Sequence, residues 1–298
     1  MKKDLITLDD LTQEEVLSLF EKADFLKKKR KRGEPHKSLE GKSLGMIFSK
    51  ESTRTRISFE VGMYELGGQA IFLSSDQLQI KRDETVADSA KVLSRYLHGV
   101  LIRTHKHQFL EEFAKHATIP VINGLTDLNH PVQILTDIFT IREKLNKIEK
   151  VKIAYIGDGN NVAYSWVLGA NLMNMHLKIA SPNELKPNIR KTLTGSGRID
   201  LFEDPIKAAK DADVIYTDVW VSMGEKDSNQ KKEQLKNYQI NQNILNVAKP
   251  NALVMHCLPA HRDEEIASDV LDGPQSIIFD QAENRLHVQK AILETFLK

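Results

Sequence analysis

One cysteine, Cys257, stands among 298 residues. That excludes an internal disulfide and any thiolate cluster for a structural zinc site. Charge of one sign is lacking too. Lys and Arg number 42 against 41 Asp and Glu, a net charge of +1, so no global polycation exists to attract nucleic acid or an anionic membrane surface. No apolar run reaches the roughly 20 residues of a membrane-spanning helix. The amino terminus, Met1-Lys2-Lys3-Asp4, has no apolar signal core behind it. The expectation is a cytoplasmic enzyme or binding protein. What is present is 41% hydrophobic and 28% charged residues, a globular balance, in a chain long enough for two domains of about 150 residues.

Residues 9–32 place Leu11, Val16, Leu19, Phe20, Ala23 and Leu26 on one helical stripe, with Asp9 and Asp10 available as caps. Apolar runs at 44–48, 70–73, 99–102 and 119–122 then alternate with amphipathic stretches around 52–66, 84–96 and 108–116. That ordering favours a parallel sheet with helices on both faces. A helix from Val132 to Leu145 follows, and the pattern restarts. Val151–Ile156 reads as a buried strand, Gly157 to Asn161 as a turn, and a helix begins at Ala163. Further strand-like runs lie at 177–180, 213–217, 252–256 and 276–279. The segment Glu283–Lys298 carries Leu286, Val288, Ile292, Leu293, Phe296 and Leu297 at helical spacing and must bury that stripe. The expected fold class is α/β: two doubly wound parallel-sheet domains, 1–145 and 146–282, and a terminal helix, 283–298. The lysine runs at 27–31 and 231–232 read as solvated helix faces.

Polar clusters gather at the carboxyl ends of these strands, where open α/β sheets bind ligands. Ser52-Thr53-Arg54-Thr55-Arg56 opens a helix directly after the run 44–48. Hydroxyls and a guanidinium there suit a phosphate, which the helix dipole also favours; an ordinary Ser or Thr cap would look the same. Arg54 and Arg56 lie about 200° apart around a helix, so Arg54 is assigned to ligand and Arg56 to a structural ion pair. Arg103 ends another strand. His130-Pro131-Val132-Gln133 puts an imidazole at a helix start, where its pKa is depressed and a neutral ring donates one hydrogen bond, or else simply caps. Asp218 ends the strand 213–217 ahead of Ser222-Met223-Gly224 and either caps a helix or binds an ammonium. In His256-Cys257-Leu258-Pro259 the histidine and cysteine are strand neighbours pointing to opposite faces, which argues for a buried, tuned thiol rather than a dyad.

Gly157-Asp158-Gly159 lacks the third glycine of a dinucleotide fingerprint, and no acidic residue closes a second strand about 20 residues on. No loop for ATP phosphates exists either. The chemistry these groups suit is transfer of an acyl-like group from a phosphate-bearing donor. Ser52 to Thr55 would hold the phosphate, while Arg103, His130 and Thr55 polarise a carbonyl.

Together, Ser-Thr-Arg-Thr-Arg, His-Pro-x-Gln, Asp-x-Trp-x-Ser-Met-Gly and His-Cys-Leu-Pro resemble the aspartate/ornithine carbamoyltransferases over essentially the whole chain, with the last two motifs and Gly157 to Asn161 pointing to the ornithine-using branch. The resemblance implies transfer of a carbamoyl group from carbamoyl phosphate to the side-chain amine of L-ornithine, without metal or cofactor. It places Ser52, Thr53, Arg54, Thr55, Arg103, His130 and Gln133 on carbamoyl phosphate, with Gln79 arriving from a neighbouring subunit of a homotrimer. Cys257, Leu258 and Arg285 complete that pocket, and Arg103, His130, Thr55 and Cys257 are the catalytic group. Asn161, Asp218, Ser222 and Met223 hold ornithine, Asp218 on its α-ammonium and Asn161 near its carboxylate. The terminal helix crosses back to the first domain. Asp263 stands where the family usually has Gly, and Val132 where Cys or Thr is common. Rival readings are another acceptor (aspartate, putrescine or an acylated ornithine), a binding module without catalysis, and a nicotinamide-dependent dehydrogenase.

Overall fold

A computed structural model describes residues 3–74, 84–189, 195–221 and 228–298. The chain divides into two compact units, the first made of Met1–Phe139 and Glu283–Lys298 and the second of Thr140–Ala282. The elements of the first half are α1 (Gln13–Lys31), β1 (Ser43–Phe48), α2 (Thr53–Glu65), β2 (Gln69–Ser74), α3 (Val86–Tyr96), β3 (Gly99–Arg103), α4 (His107–His116), β4 (Val121–Leu125) and α5 (Pro131–Leu145). The four strands form a parallel sheet in the order β2-β1-β3-β4.

The second half supplies β5 (Lys152–Ile156), α6 (Asn161–Leu172), β6 (His176–Ala180), β7 (Arg198–Phe202), α7 (Pro205–Ala209), β8 (Val214–Thr217), α8 (Ser228–Leu235), α9 (Gln242–Val247), β9 (Leu253–His256), α10 (Ser268–Leu271) and α11 (Ile278–Leu297). Its five strands are also parallel, in the order β7-β6-β5-β8-β9. Residues buried on both faces explain why β1, β3, β5 and β8 read as near-continuous apolar runs.

The last fifteen residues of α11 belong to the first unit, and small residues make room for them. A Cβ on Gly62 would lie 3.3 Å from Lys290 Cγ and 3.5 Å from Leu293, and one on Gly99 would lie 3.0 Å from Leu297. Polar ties fix the helix there: Lys290 Nζ donates to Glu65 Oε2 at 2.6 Å and Lys27 Nζ to Asn284 Oδ1 at 2.7 Å. Lys27 is thus not a solvated lysine, and neither is Lys231, which pairs with Asp158 at 2.7 Å with its side chain only 14% exposed.

Several boundaries differ from the sequence reading. Thr12, not Asp9 or Asp10, caps α1, in a reciprocal box with Glu15; Asp10 closes the preceding short turn instead. β4 starts after Pro120 and runs on through Asn123, whose side chain is buried and donates to Ile6 O at 2.8 Å. The run 276–279 is no strand. Ser276 makes one isolated bridge to Val254 and α11 begins at Ile278. β7, Arg-Ile-Asp-Leu-Phe, escaped notice because it is a partly exposed edge strand with two charges. Asn160, the cap of α6, starts that helix earlier than Ala163.

Candidate active site

In the first unit the strand order reverses between β1 and β3, the crevice where doubly wound sheets take ligands. Ser52 to Thr55 follow β1, and Arg103 ends β3 opposite Phe48. Ser52 caps α2, its Oγ accepting from Thr55 N at 3.2 Å. Thr55 is buried, and its hydroxyl oxygen accepts from Arg285 Nη2 at 2.7 Å and Arg103 Nη1 at 3.5 Å. Arg285 also donates to Gln133 Oε1, and Gln133 Nε2 donates to Asp137 Oδ1 at 2.8 Å. Arg103, His130, Gln133 and Arg285 are all buried. These hydrogen bonds join two guanidiniums and one carboxylate in a buried setting where charge is costly to leave unbalanced. An anionic ligand balances such a site.

The 126–130 turn fixes His130. Thr126 N donates to Asn129 O at 2.9 Å, His107 Nδ1 meets Thr126 Oγ1 at 2.9 Å, and Asn123 Nδ2 donates to Asn129 Oδ1 at 2.5 Å. The ring's pKa is pushed well down, first by burial and then by the charges of Arg285, Arg103 and Lys50. Burial and neighbouring cations thus act in the same direction as the helix start at which the ring stands. Lys50 was missed because nothing in its spacing distinguishes it from a surface lysine. It lines a cavity of about 590 Å³ with Ser52, Thr53, Arg56 and Phe72. Arg56 makes the assigned ion pair, with Glu60 at 2.9 Å, but also lies over the Phe72 ring at 3.9 Å. Arg54 is half-buried in the first turn of α2.

His287, on α11, is pushed down to about 4 by burial, with Lys27 and Lys290 adding to the effect against Glu283. The unfolded ring takes a proton below about 6.5, whereas the folded one resists. Between those values the unfolded chain binds more protons, so stability is lost as pH falls, by about 3 kcal/mol at pH 4. The denaturation midpoint is expected to drop between pH 6.5 and 4, and less so in His287→Gln. An unchanged slope in that variant would assign the acid sensitivity to other groups.

In the second unit the order reverses between β5 and β8. Asn160 and Asn161 follow β5, Asp218 follows β8 and Cys257 follows β9. Because Thr217 is in register with His256, Asp218 and Cys257 are the next pair beyond the ladder. The Cys257 thiol donates to Asp218 Oδ1 at 2.9 Å, and Asn160 Nδ2 donates to Asp218 Oδ2 at 2.9 Å. Asp218 is buried, but Cys257 is only half-buried, not the buried thiol expected. Tyr155 is buried, and burial, together with Asp218, Asp158 and Cys257, drives its pKa well above the usual phenol value. It keeps its proton and donates to Asp158 O at 3.0 Å and, more weakly, toward Asn160 Oδ1 at 3.3 Å.

His256 makes its hydrogen bonds outside this cluster. Its Nε2 meets buried Glu265 Oε1 at 3.0 Å, and its Nδ1 accepts from Leu258 N at 2.8 Å. Asp218, His256 and Cys257 each bring a donor atom within 4.8 Å of the others, but those hydrogen bonds already occupy the ring nitrogens and the thiol. Leu258 is half-buried beside a cis bond to Pro259. Asn161 is half-buried at the first turn of α6. Gln79, Ser222 and Met223 lie outside the described residues. The space beside Gly159 is filled by backbone: a Cβ there would lie 2.1 Å from Leu185 O and 2.5 Å from Pro187 N. That glycine serves close chain approach, which removes the dinucleotide reading of its loop.

Asp263 adopts φ +65°, a region that favours glycine, and compensates with its side chain: Oδ1 accepts from Ser268 N at 2.9 Å and Oδ2 from Ser268 Oγ at 3.0 Å. Val132 is fully buried in α5.

Residues 3–143 match the carbamoyl-P binding domain of aspartate/ornithine carbamoyltransferases, and residues 149–296 match the Asp/Orn binding domain. The chain belongs to the aspartate/ornithine carbamoyltransferase family. Within that family it is 54% identical over 302 residues to an ornithine carbamoyltransferase from Syntrophus aciditrophicus, covering 100% of both chains. It superposes on the solved ornithine carbamoyltransferase from Pyrococcus furiosus with a TM-score of 0.94 at 47% identity, covering 98% of this chain and 96% of that one. The anabolic ornithine carbamoyltransferase from Campylobacter jejuni gives a TM-score of 0.91 at 41% identity, covering 99% and 98%. No helix among the described residues is long and apolar enough to cross a membrane.

Proposed function

We propose that the chain transfers the carbamoyl group of carbamoyl phosphate to the side-chain amine of L-ornithine, giving L-citrulline and phosphate. The observation that carries this reading is the buried Arg103–Thr55–Arg285–Gln133 network, a cationic cluster with a hydroxyl at its centre. Carbamoyl phosphate supplies the anion such a cluster needs. Ser52, Thr53, Arg54 and the first turn of α2 bind its phosphate, with Gln79 contributed by a neighbouring subunit of a cytoplasmic homotrimer. Thr55 accepts from two guanidiniums, which directs its own O–H outward to the carbamoyl oxygen beside Arg103 and the neutral His130 ring. Gln133 Oε1 accepts from the carbamoyl N–H while Arg285 orders that oxygen, and Cys257 and Leu258 are the further residues assigned to the carbamoyl group.

In the second unit, Asp218 takes the α-ammonium of ornithine and Asn161 lies near its carboxylate, with Ser222 and Met223 also holding the amino acid. The neutral amine nitrogen attacks the carbamoyl carbon, the bond from that carbon to the bridging oxygen breaks, and phosphate leaves with the electron pair and takes up the proton that the amine gives up. The amine's pKa of about 10.4 leaves only roughly one molecule in 10³ neutral near pH 7.4, a cost of about 4 kcal/mol. The rate is therefore expected to climb with pH. Neutral His130 adds no acid limb of its own near its ordinary value.

The test is phosphate release from carbamoyl phosphate with ornithine, aspartate, putrescine or N-acetylornithine supplied separately. Citrulline from ornithine alone supports the assignment; turnover with another amine keeps the carbamoyl phosphate half and overturns the acceptor. A second carboxylate, as in aspartate, would meet the Asp218 carboxylate with like charge, which favours ornithine.

A further inference from the structure

Asn160 sits at the start of α6, where Asn, Asp, Ser and Thr are all good caps. Its Oδ1 performs that task, accepting from Val162 N at 2.9 Å and Ala163 N at 3.2 Å, with the Tyr155 hydroxyl also directed at it. Two backbone N–H donors on one oxygen fix which end of the amide is which. The Nδ2 end then points at Asp218 Oδ2, 2.9 Å away. Capping explains only half of this residue. A serine would cap but fall short of Asp218, and an aspartate would cap but present a second carboxylate to it. Only asparagine among the capping side chains both closes the helix and donates across the crevice between β5 and β8.

We propose that Asn160 is a positioning residue for the amino-acid substrate, holding the Asp218 carboxylate in the orientation that receives an α-ammonium. This rests on the reading that Asp218 binds ornithine. The Cys257 thiol holds Oδ1 and the Asn160 amide holds Oδ2, so the plane of the carboxylate is set before substrate arrives. The amide is in turn anchored by the first turn of α6 and by Tyr155, which is buried and keeps its proton. A preset acceptor binds an ammonium without first reorganising, and that saving is realised in substrate affinity.

The experiment compares the parent with Asn160→Ser and Asn160→Asp, measuring the ornithine KM, kcat, carbamoyl phosphate affinity and thermal midpoint. Loss of a hydrogen bond to a charged group predicts an ornithine KM raised about 10- to 100-fold in Asn160→Ser, with carbamoyl phosphate affinity and the midpoint unchanged because the cap survives. Asn160→Asp keeps the strongest cap and is expected to raise the ornithine KM at least as far. A parent-like KM in either folded variant overturns the proposal, as does equal loss of both substrates together with a lowered midpoint, the mark of a purely structural cap. A parent that makes no citrulline from ornithine overturns the acceptor reading itself, and this proposal with it. Activity in the parent with unchanged variants overturns Asn160 alone.

Discussion

Replacing Arg103 by alanine is expected to lower kcat for carbamoyl transfer by about 10²- to 10³-fold, the usual consequence of removing one donor from a developing oxyanion. The guanidinium is buried at the end of β3 and donates to the Thr55 hydroxyl, so its loss removes a charge and loosens a second donor. Arg285 still orders Thr55 and Gln133, which is why binding of carbamoyl phosphate is expected to weaken less than turnover. Arg103→Lys restores the charge but not the planar fork and should recover only part of the rate. Single-turnover phosphate release, with carbamoyl phosphate binding measured separately, distinguishes the two effects. A kcat within about fivefold of the parent would remove Arg103 from the carbonyl and leave it a phosphate ligand, since one oxyanion donor is worth far more than that.

Much of this site was legible because its chemistry sits at strand ends, and strand ends are set by local pattern. Apolar runs located β1, β3, β5, β8 and β9 within a residue or two, and the polar residues just beyond them gather at the crevice between β1 and β3 in the first unit and at the one between β5 and β8 in the second. The pairing across chain distance was harder. Arg285 reaches Thr55 only because α11 packs on the first unit, and no local spacing announces a contact between residues so far apart in the chain. Asn160 was overlooked because an asparagine before a helix is explained well enough as a cap. Its second hydrogen bond depends on β5 and β8 being neighbours, which is a property of strand order. His130 shows the same division. A helix start is visible in sequence, whereas burial beside Arg103, Arg285 and Lys50 is visible only after folding.

Asp218→Asn is expected to cost about 10²- to 10³-fold in kcat/KM for ornithine, nearly all of it in the second substrate. Two effects add. The neutral side chain gives up a charge-assisted bond to the α-ammonium, about 1.5 to 3 kcal/mol. The new amide must also turn an N–H toward either Asn160 Nδ2 or the Cys257 thiol, each of which is now a donor to that position. Facing Asn160 sets donor against donor; facing Cys257 leaves only a weak sulfur acceptor. Either arrangement tilts the group away from its preset plane. No buried charge is created, so the second unit is expected to fold as the parent does. Carbamoyl phosphate affinity should change far less, because every residue assigned to its phosphate lies in the first unit and the change reaches that substrate's assigned residues through Cys257. The measurement is a set of ornithine saturation curves at fixed carbamoyl phosphate, paired with equilibrium binding of carbamoyl phosphate alone. If both substrates weaken together, Asp218 supports the framework of the site; if ornithine alone does, the carboxylate is its ammonium acceptor. Combining Asp218→Asn with Asn160→Ser then gives a coupling: the second change should cost little once the carboxylate it holds is gone.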